Sequence, residues 1–261
     1  VRLVQLTDTH LFAQQHEALL GVNTWESYQA VLEAIRPHQH EFDLIVATGD
    51  LAQDHSSAAY QHFAEGIASF RAPCVWLPGN HDFQPAMYSA LQDAGISPAK
   101  RVFIGEQWQI LLRDSQVFGV PHGELSEFQL EWLERKLADA PERHTLLLLH
   151  HHPLPAGCSW LDQHSLRNAG ELDTVLAKFP HVKYLLCGHI HQELDLDWNG
   201  RRLLATPSTC VQFKPHCSNF TLDTIAPGWR TLELHADGTL TTEVHRLADT
   251  RFQPDTASEG Y

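Results

Sequence analysis

The feature that most limits the fold is a rhythm. An apolar run, a polar loop and an amphipathic segment recur through the first two-thirds of the chain. The runs Leu3–Leu6, Leu44–Ala47, Cys74–Leu77, Thr145–Leu149 and Val182–Cys187 have strand length and strand composition. Between and around them, Thr24–Arg36, Ser57–Phe70, Pro85–Ala94, Phe128–Ala138 and Glu171–Phe179 carry apolar residues at helical spacing. Ser126 with Gln129 predicts a capping box for the fourth helix, and Pro141 lies just past its end. Strands alternating with helices predict parallel pairing in an α/β fold. After Cys187 the rhythm changes to hairpins, with turns at Asn199-Gly200 and Asp237-Gly238. One α/β domain over residues 1–248 is therefore expected, with 249–261 as a loose, flexible C-terminal tail.

Bulk properties narrow the partners. A formal net charge of −14 argues against a nucleic acid polymer, while a small anion held by a local cation stays compatible. No apolar run is long enough for a membrane span. The five cysteines form no CxxC and read as reduced thiols. No secretory signal is in view, although a start at Val1 leaves room for a trimmed segment. Together these predict a cytoplasmic protein acting on a small molecule.

The polar residues collect at the strand ends. Asp8 and His10 follow the first run, Asp50 the second, and Asn80, His81 and Asp82 the third. His150, His151 and His152 follow the fourth, and His189 and His191 the fifth. In α/β sheets that edge is where sites are built. Asp8/His10 and His189/His191 are i, i+2 pairs, which in extended backbone would point to one side. Carboxylate, amide and imidazole suit Mn, Fe or Zn better than Ca. The set is too rich for one ion, whereas two ions about 3.5–4 Å apart, bridged by a carboxylate, would use it. Any one of these pieces is commonly a turn. Five in order, each after a strand, are not a common accident.

The series DTH, GD, GNHD, HHHP and GHIH, from Asp8 to His191, resembles the calcineurin-like metallophosphoesterases. The flanking stretches LLGVNTWES, GELSEFQLEWL and ATPSTCVQF are similar to the bacterial 3′,5′-cyclic AMP phosphodiesterases within that superfamily. The resemblance implies a four-layer α/β/β/α sandwich with C-terminal β-hairpins. It also implies a site of two divalent ions, Fe or Mn first and Zn as a third option. Asp8, His10, Asp50 and His191 would hold one ion, and Asp50, Asn80, His151 and His189 the other, with Asp50 bridging. Counting back from Pro153 selects His151 over His150. His10, Asn80, His81 and His191 would contact phosphate, and the catalytic set would be Asp50, Asn80 and His81. Asp82 would orient a neighbour or cap the helix near Gln84. The chain departs from two subgroups: GDLAQD lacks the Arg of serine/threonine phosphatases, and Gln53 stands where purple acid phosphatases carry Tyr.

The implied activity is hydrolysis of cyclic AMP to 5′-AMP, with hydroxide attacking phosphorus in line and protonated His81 donating to the 3′ oxygen. A phosphodiesterase of broader specificity, a non-catalytic scaffold and a structural metal protein are the competing readings. Trp160 and Phe213 are candidates to stack on a base or to pack under hairpins, and His122 reads as a loop residue.

Overall fold

The computed structural model describes residues 1–261. Two sheets lie face to face, each with helices on its outer side. The first has five strands in the order Leu240–Arg246, Gly228–Leu234, Arg2–Leu6, Leu44–Ala47, Cys74–Trp76. Its last three pair in parallel, and the first two join antiparallel. The second has six strands, in the order Leu194–Trp198, Arg201–Ala205, Val182–Cys187, His144–Leu148, Trp108–Leu112, Arg101–Ile104.

Three apolar clusters separate the layers. One buries the outer face of the first sheet under the helices Thr24–Ile35, Ser57–Ile67 and Gln84–Asp93. A second does the same for the other sheet under Glu127–Asp139 and Ala169–Leu176. The third lies between the sheets, where Leu3, Val46 and Val75 meet Ile110, Leu146 and Leu186. These layers are the expected α/β/β/α sandwich. Behind the site the sheets are also joined by a buried polar bridge: the Gln5 amide donates to Thr48 Oγ1 at 2.9 Å and to the Cys187 carbonyl at 3.2 Å.

The first three helices fall where the spacing predicts, to within three residues at their ends. Asn23 and Ser56 cap the first two by accepting from Glu26 N–H and Ala59 N–H. Ser126 caps Glu127–Asp139 by accepting from Gln129 N–H, but the box is not reciprocal. The Gln129 side chain instead accepts from Asp114 N–H at 3.2 Å, tying this helix to the strand Trp108–Leu112. Asn199 and Gly200 both have positive φ, as a two-residue type I′ turn requires. The pair Arg101–Ile104 and Trp108–Leu112 is absent from the sequence expectations, because its turn, Gly105 to Gln107, lacks an Asn-Gly or Asp-Gly signal.

Residues 249–261 form no helix or strand. Phe252 is nonetheless buried in the cluster of the second sheet, and Asp255 N–H donates to the Leu20 carbonyl at 2.7 Å. No helix is long and apolar enough to cross a membrane.

Candidate metal centre

Strand ends from both sheets converge at one edge of the sandwich. Asp8, His10, Asp50, His189 and His191 all have φ between 45° and 75°. Left-handed backbone costs a non-glycine residue about 1–2 kcal/mol, so such a concentration marks a place where geometry is bought with stability. Here the expectation of extended i, i+2 pairs is corrected. The backbone turns at each of these residues, and His189 and His191 go to different groups. Loop crowding adds a second constraint: Gly49 has φ +97°, and a Cβ there would lie 2.6 Å from His150 Nδ1.

Two groups result, one of Asp8, His10 and His191, the other of Asp50, His150 and His189. Each draws on both sheets. In the first, His191 Nε2 lies 3.3 Å from Asp8 Oδ1 and 3.1 Å from His10 Nε2. In the second, His150 Nε2 lies 3.2 Å from both Asp50 Oδ2 and Asn80 Oδ1. Asp50 Oδ2 is also 3.9 Å from His10 Nε2, which makes it the atom shared between the groups.

The outward-facing ring nitrogens are all engaged by oxygen acceptors. His10 Nδ1 meets Gln53 Oε1 at 2.7 Å, His150 Nδ1 the Thr48 carbonyl at 2.6 Å, and His191 Nδ1 the Val211 carbonyl at 2.8 Å. His189 is reversed, with Nε2 on the His164 carbonyl at 2.9 Å. An acceptor at one nitrogen holds the proton there and turns the other lone pair inward. The carboxylates are oriented likewise. Asp8 Oδ2 accepts from Thr7 Oγ1 at 2.6 Å and His189 N–H at 3.0 Å, and Asp50 Oδ1 accepts from His81 N–H at 2.8 Å. This leaves Asp8 Oδ1, Asp50 Oδ2 and His189 Nδ1 buried without a hydrogen bond, the two carboxylate oxygens facing only the imidazole nitrogens of the two groups. Buried acceptors aimed at one point need a cation, and this mixed N/O set fits divalent transition metals.

Electrostatics agree. Burial would raise Asp8 and Asp50, but the imidazoles, led by His191 for Asp8 and His150 for Asp50, hold both carboxyls well below the ordinary range. Burial opposes charge on His150, yet Asp50 beside it raises that imidazole to about 9.

His151, the expected ligand, lies outside both groups: its Nδ1 bonds Ser115 Oγ at 2.7 Å and its Nε2 the Pro121 carbonyl at 3.0 Å, so both nitrogens are engaged. His150 is the histidine of the three that gathers with Asp50 and His189. His152 points elsewhere, pairing with Asp162 at 3.0 Å. His81 lies beside the groups, its ring 5.2 Å from that of His10. Burial lowers it to about 4 despite Asp50, which favours the neutral ring near pH 7 over the expected protonated donor. Asp82 does not cap the helix at Gln84. It accepts from the N–H groups of Leu51, Ala52 and Gly79 and from Tyr60 OH, and so orients both neighbouring loops.

A cavity of about 530 Å³ opens beside the centre, lined by Asn80, His81, His189, Trp160, Phe220 and Tyr261 among others. That volume suits a small molecule. Phe213 is 1% exposed and stacks on His191 at 4.2 Å, so it walls the centre rather than facing a ligand. His122 belongs to neither group. Thr7 and Tyr261 are site neighbours absent from the sequence expectations, and neither carries a local signal. Gln53, named there only for standing where purple acid phosphatases carry Tyr, orients the His10 ring.

Residues 1–193 match the family described as calcineurin-like phosphoesterase. The chain is 98% identical over 261 residues to the 3′,5′-cyclic adenosine monophosphate phosphodiesterase CpdA of Escherichia coli K12, covering all of this chain and 95% of that one. It is 52% identical, with the same coverage, to the protein of that name from Haemophilus influenzae. Among solved structures, a dimetal phosphatase from Danio rerio superposes with a TM-score of 0.68 at 14% identity, over 90% of this chain and 92% of that one. This last likeness bears on the fold alone.

Proposed function

The chain belongs to the calcineurin-like phosphoesterase family, and on that premise we propose that it hydrolyses 3′,5′-cyclic AMP to 5′-AMP at a dinuclear metal site. The observation that carries the site is the set of three buried acceptors without a hydrogen bond in the two groups. The near-identity to a relative named for cyclic AMP carries the substrate.

In this reading Asp8, His10, Asp50 and His191 hold one divalent ion. Asp50, Asn80, His150 and His189 hold the other, with Asp50 shared. Fe or Mn is the proposed metal, with Zn the next choice. Bound there, the ions supply Lewis acidity toward phosphate and make hydroxide available near neutral pH. The protein does the rest. His10, Asn80, His81 and His191 surround the place where the phosphodiester's equatorial oxygens would sit. Neutral His81 offers them a ring N–H while its own backbone N–H fixes Asp50 Oδ1 at 2.8 Å. Hydrolysis breaks the bond from phosphorus to the 3′ oxygen; OH adds to phosphorus and the proton goes to that oxygen. Two divalent ions would bring four positive charges that Asp8 and Asp50 would offset only in part, so the loaded site would attract an anionic phosphodiester. The catalytic unit is proposed to span residues 1–248. A cytoplasmic setting is proposed on the five free thiols.

The test is hydrolysis of cyclic AMP by protein reconstituted with Fe(II) or Mn(II), with products separated by chromatography. Cyclic GMP and an aryl phosphodiester run beside it, with Asn80→Ala as the blank. Metal-dependent 5′-AMP in preference to the other products is the expected result. Turnover of the aryl diester alone would remove the cyclic nucleotide and keep the dinuclear site.

A further inference from the structure

The ring of Tyr261 lies against the His10 and His191 side of the centre. It stacks on His81 at 4.9 Å with an interplanar angle of 16°, and stands edge-on to His10 at 5.8 Å. Phe213 at 5.7 Å and Phe220 at 6.1 Å close the other side. It lines the same cavity as Asn80 and His189. A phosphodiester reaching His10 and His81 together would have to take this ring's place.

The approach to Tyr261 is firmly held only as far as a short turn. Phe252 is buried, Asp255 N–H bonds Leu20, and the Asp255 side chain accepts from Ala257 N–H at 3.1 Å. A Cβ at Gly21 would come within 2.9 Å of Asp255 N, so the chain is seated closely there. Beyond Ser258 no hydrogen bond holds Glu259, Gly260 or Tyr261. A Cβ at Gly260 would meet nothing within 4 Å, and Tyr261 is 42% exposed. The ring is thus tethered from outside the site but kept in it by aromatic contact alone.

We propose that Tyr261 is an intramolecular occupant of the substrate's seat, which a cyclic nucleotide must displace before hydrolysis. The idea rests on the proposed phosphodiesterase reading for its substrate, but the contacts stand without it. Apparent affinity is divided by the fraction of molecules whose seat is open. Chemistry after displacement is unaffected, so the effect belongs in KM and not in kcat. Aromatic contacts of this kind correspond to about a threefold to tenfold shift in such an equilibrium.

The experiment compares wild type, Tyr261→Ala and Tyr261→Phe as metal-loaded protein. Tyr261→Ala is expected to lower KM for cyclic AMP by about threefold to tenfold with kcat within about twofold. Tyr261→Phe, which keeps the ring, should match wild type. Alongside, the rate of His81 modification by diethylpyrocarbonate, mapped by peptide mass, should rise in Tyr261→Ala only. An unchanged or increased KM in Tyr261→Ala would overturn the proposal, an increase meaning that the ring grips substrate instead. A Tyr261→Phe variant behaving like Tyr261→Ala would overturn it too, by assigning the effect to the hydroxyl. If no protein hydrolyses cyclic AMP while metal is bound, the phosphodiesterase reading has failed. The His81 modification rates then decide the occupancy alone: equal rates reject it, and a faster rate in Tyr261→Ala upholds it.

Discussion

His150 and His151 are adjacent and chemically identical, and only their acceptors separate them. His150 has one nitrogen on a carbonyl and one facing Asp50, whereas both nitrogens of His151 are spent on Ser115 and Pro121. His150→Ala is therefore expected to lower bound metal from about two ions per chain to about one, with turnover falling by roughly 100-fold or more. His151→Ala should keep both ions and lose stability instead. Elemental analysis with thermal melting checks both; equal metal loss would put His151 back among the ligands. A pH dependence follows from the same residue. Asp50 raises His150 to about 9, so in metal-free protein it is charged below that pH, while an ion needs the neutral ring. Metal uptake near pH 7 should release this proton, and affinity should rise about tenfold per pH unit until about pH 9. Calorimetry in buffers of different ionisation enthalpy measures the release. Uptake without it would mean His150 is already neutral.

At the scale of elements, Asp82 clasps the two loops that carry Asp50 and Asn80. Its carboxyl takes N–H groups from both, and Tyr60 OH, from the helix Ser57–Ile67, reaches it at 2.8 Å while accepting from Phe83 N–H at 2.9 Å. Removing it with Asp82→Ala strands four buried donors, three N–H groups and the Tyr60 hydroxyl, and is expected to cost about 2–4 kcal/mol in denaturant unfolding. Burial, and then Asp50, push Asp82 up to about 6. A carboxyl raised in the folded state stabilises at pH below its unfolded value near 4 and loses that contribution as pH rises through 6. Between those pH values metal-free wild type should lose stability relative to Asp82→Asn. Parallel melting curves across that range would show the idea wrong. The clasp itself was half legible: GNHD announces a site, but which polar residue serves the metal and which serves the loops depends on where the neighbouring strand end arrives.

At the scale of the whole molecule, stability and chemistry are housed separately. Three apolar clusters hold the layers together, and none of them includes a residue of the two metal groups. Chelation is expected to abolish turnover while far-UV circular dichroism and a cooperative melt persist, with the midpoint lowered because the ligand that favours the folded state is gone. Unfolding on chelation would instead identify the metal as a structural element.

The strand and helix segments could be read from period and caps, and the ligand candidates from their places after apolar runs, because both signals are local in the chain. Asp8, His10, Asp50, Asn80, His189 and His191 stand out as candidates on that basis, but so do His81, Asp82 and the three histidines from His150 to His152, and only the family resemblance narrows the set. Which of them meet was not visible, since each group is completed across two sheets and pairing between sheets leaves no local trace. The choice of His150 over His151 turned on the carbonyls of Thr48 and Pro121, remote in sequence and decided by packing. The same holds for Tyr261: an unpatterned terminal segment says nothing about its destination, and only the tertiary structure brings that ring, 180 residues away in sequence, face to face with His81.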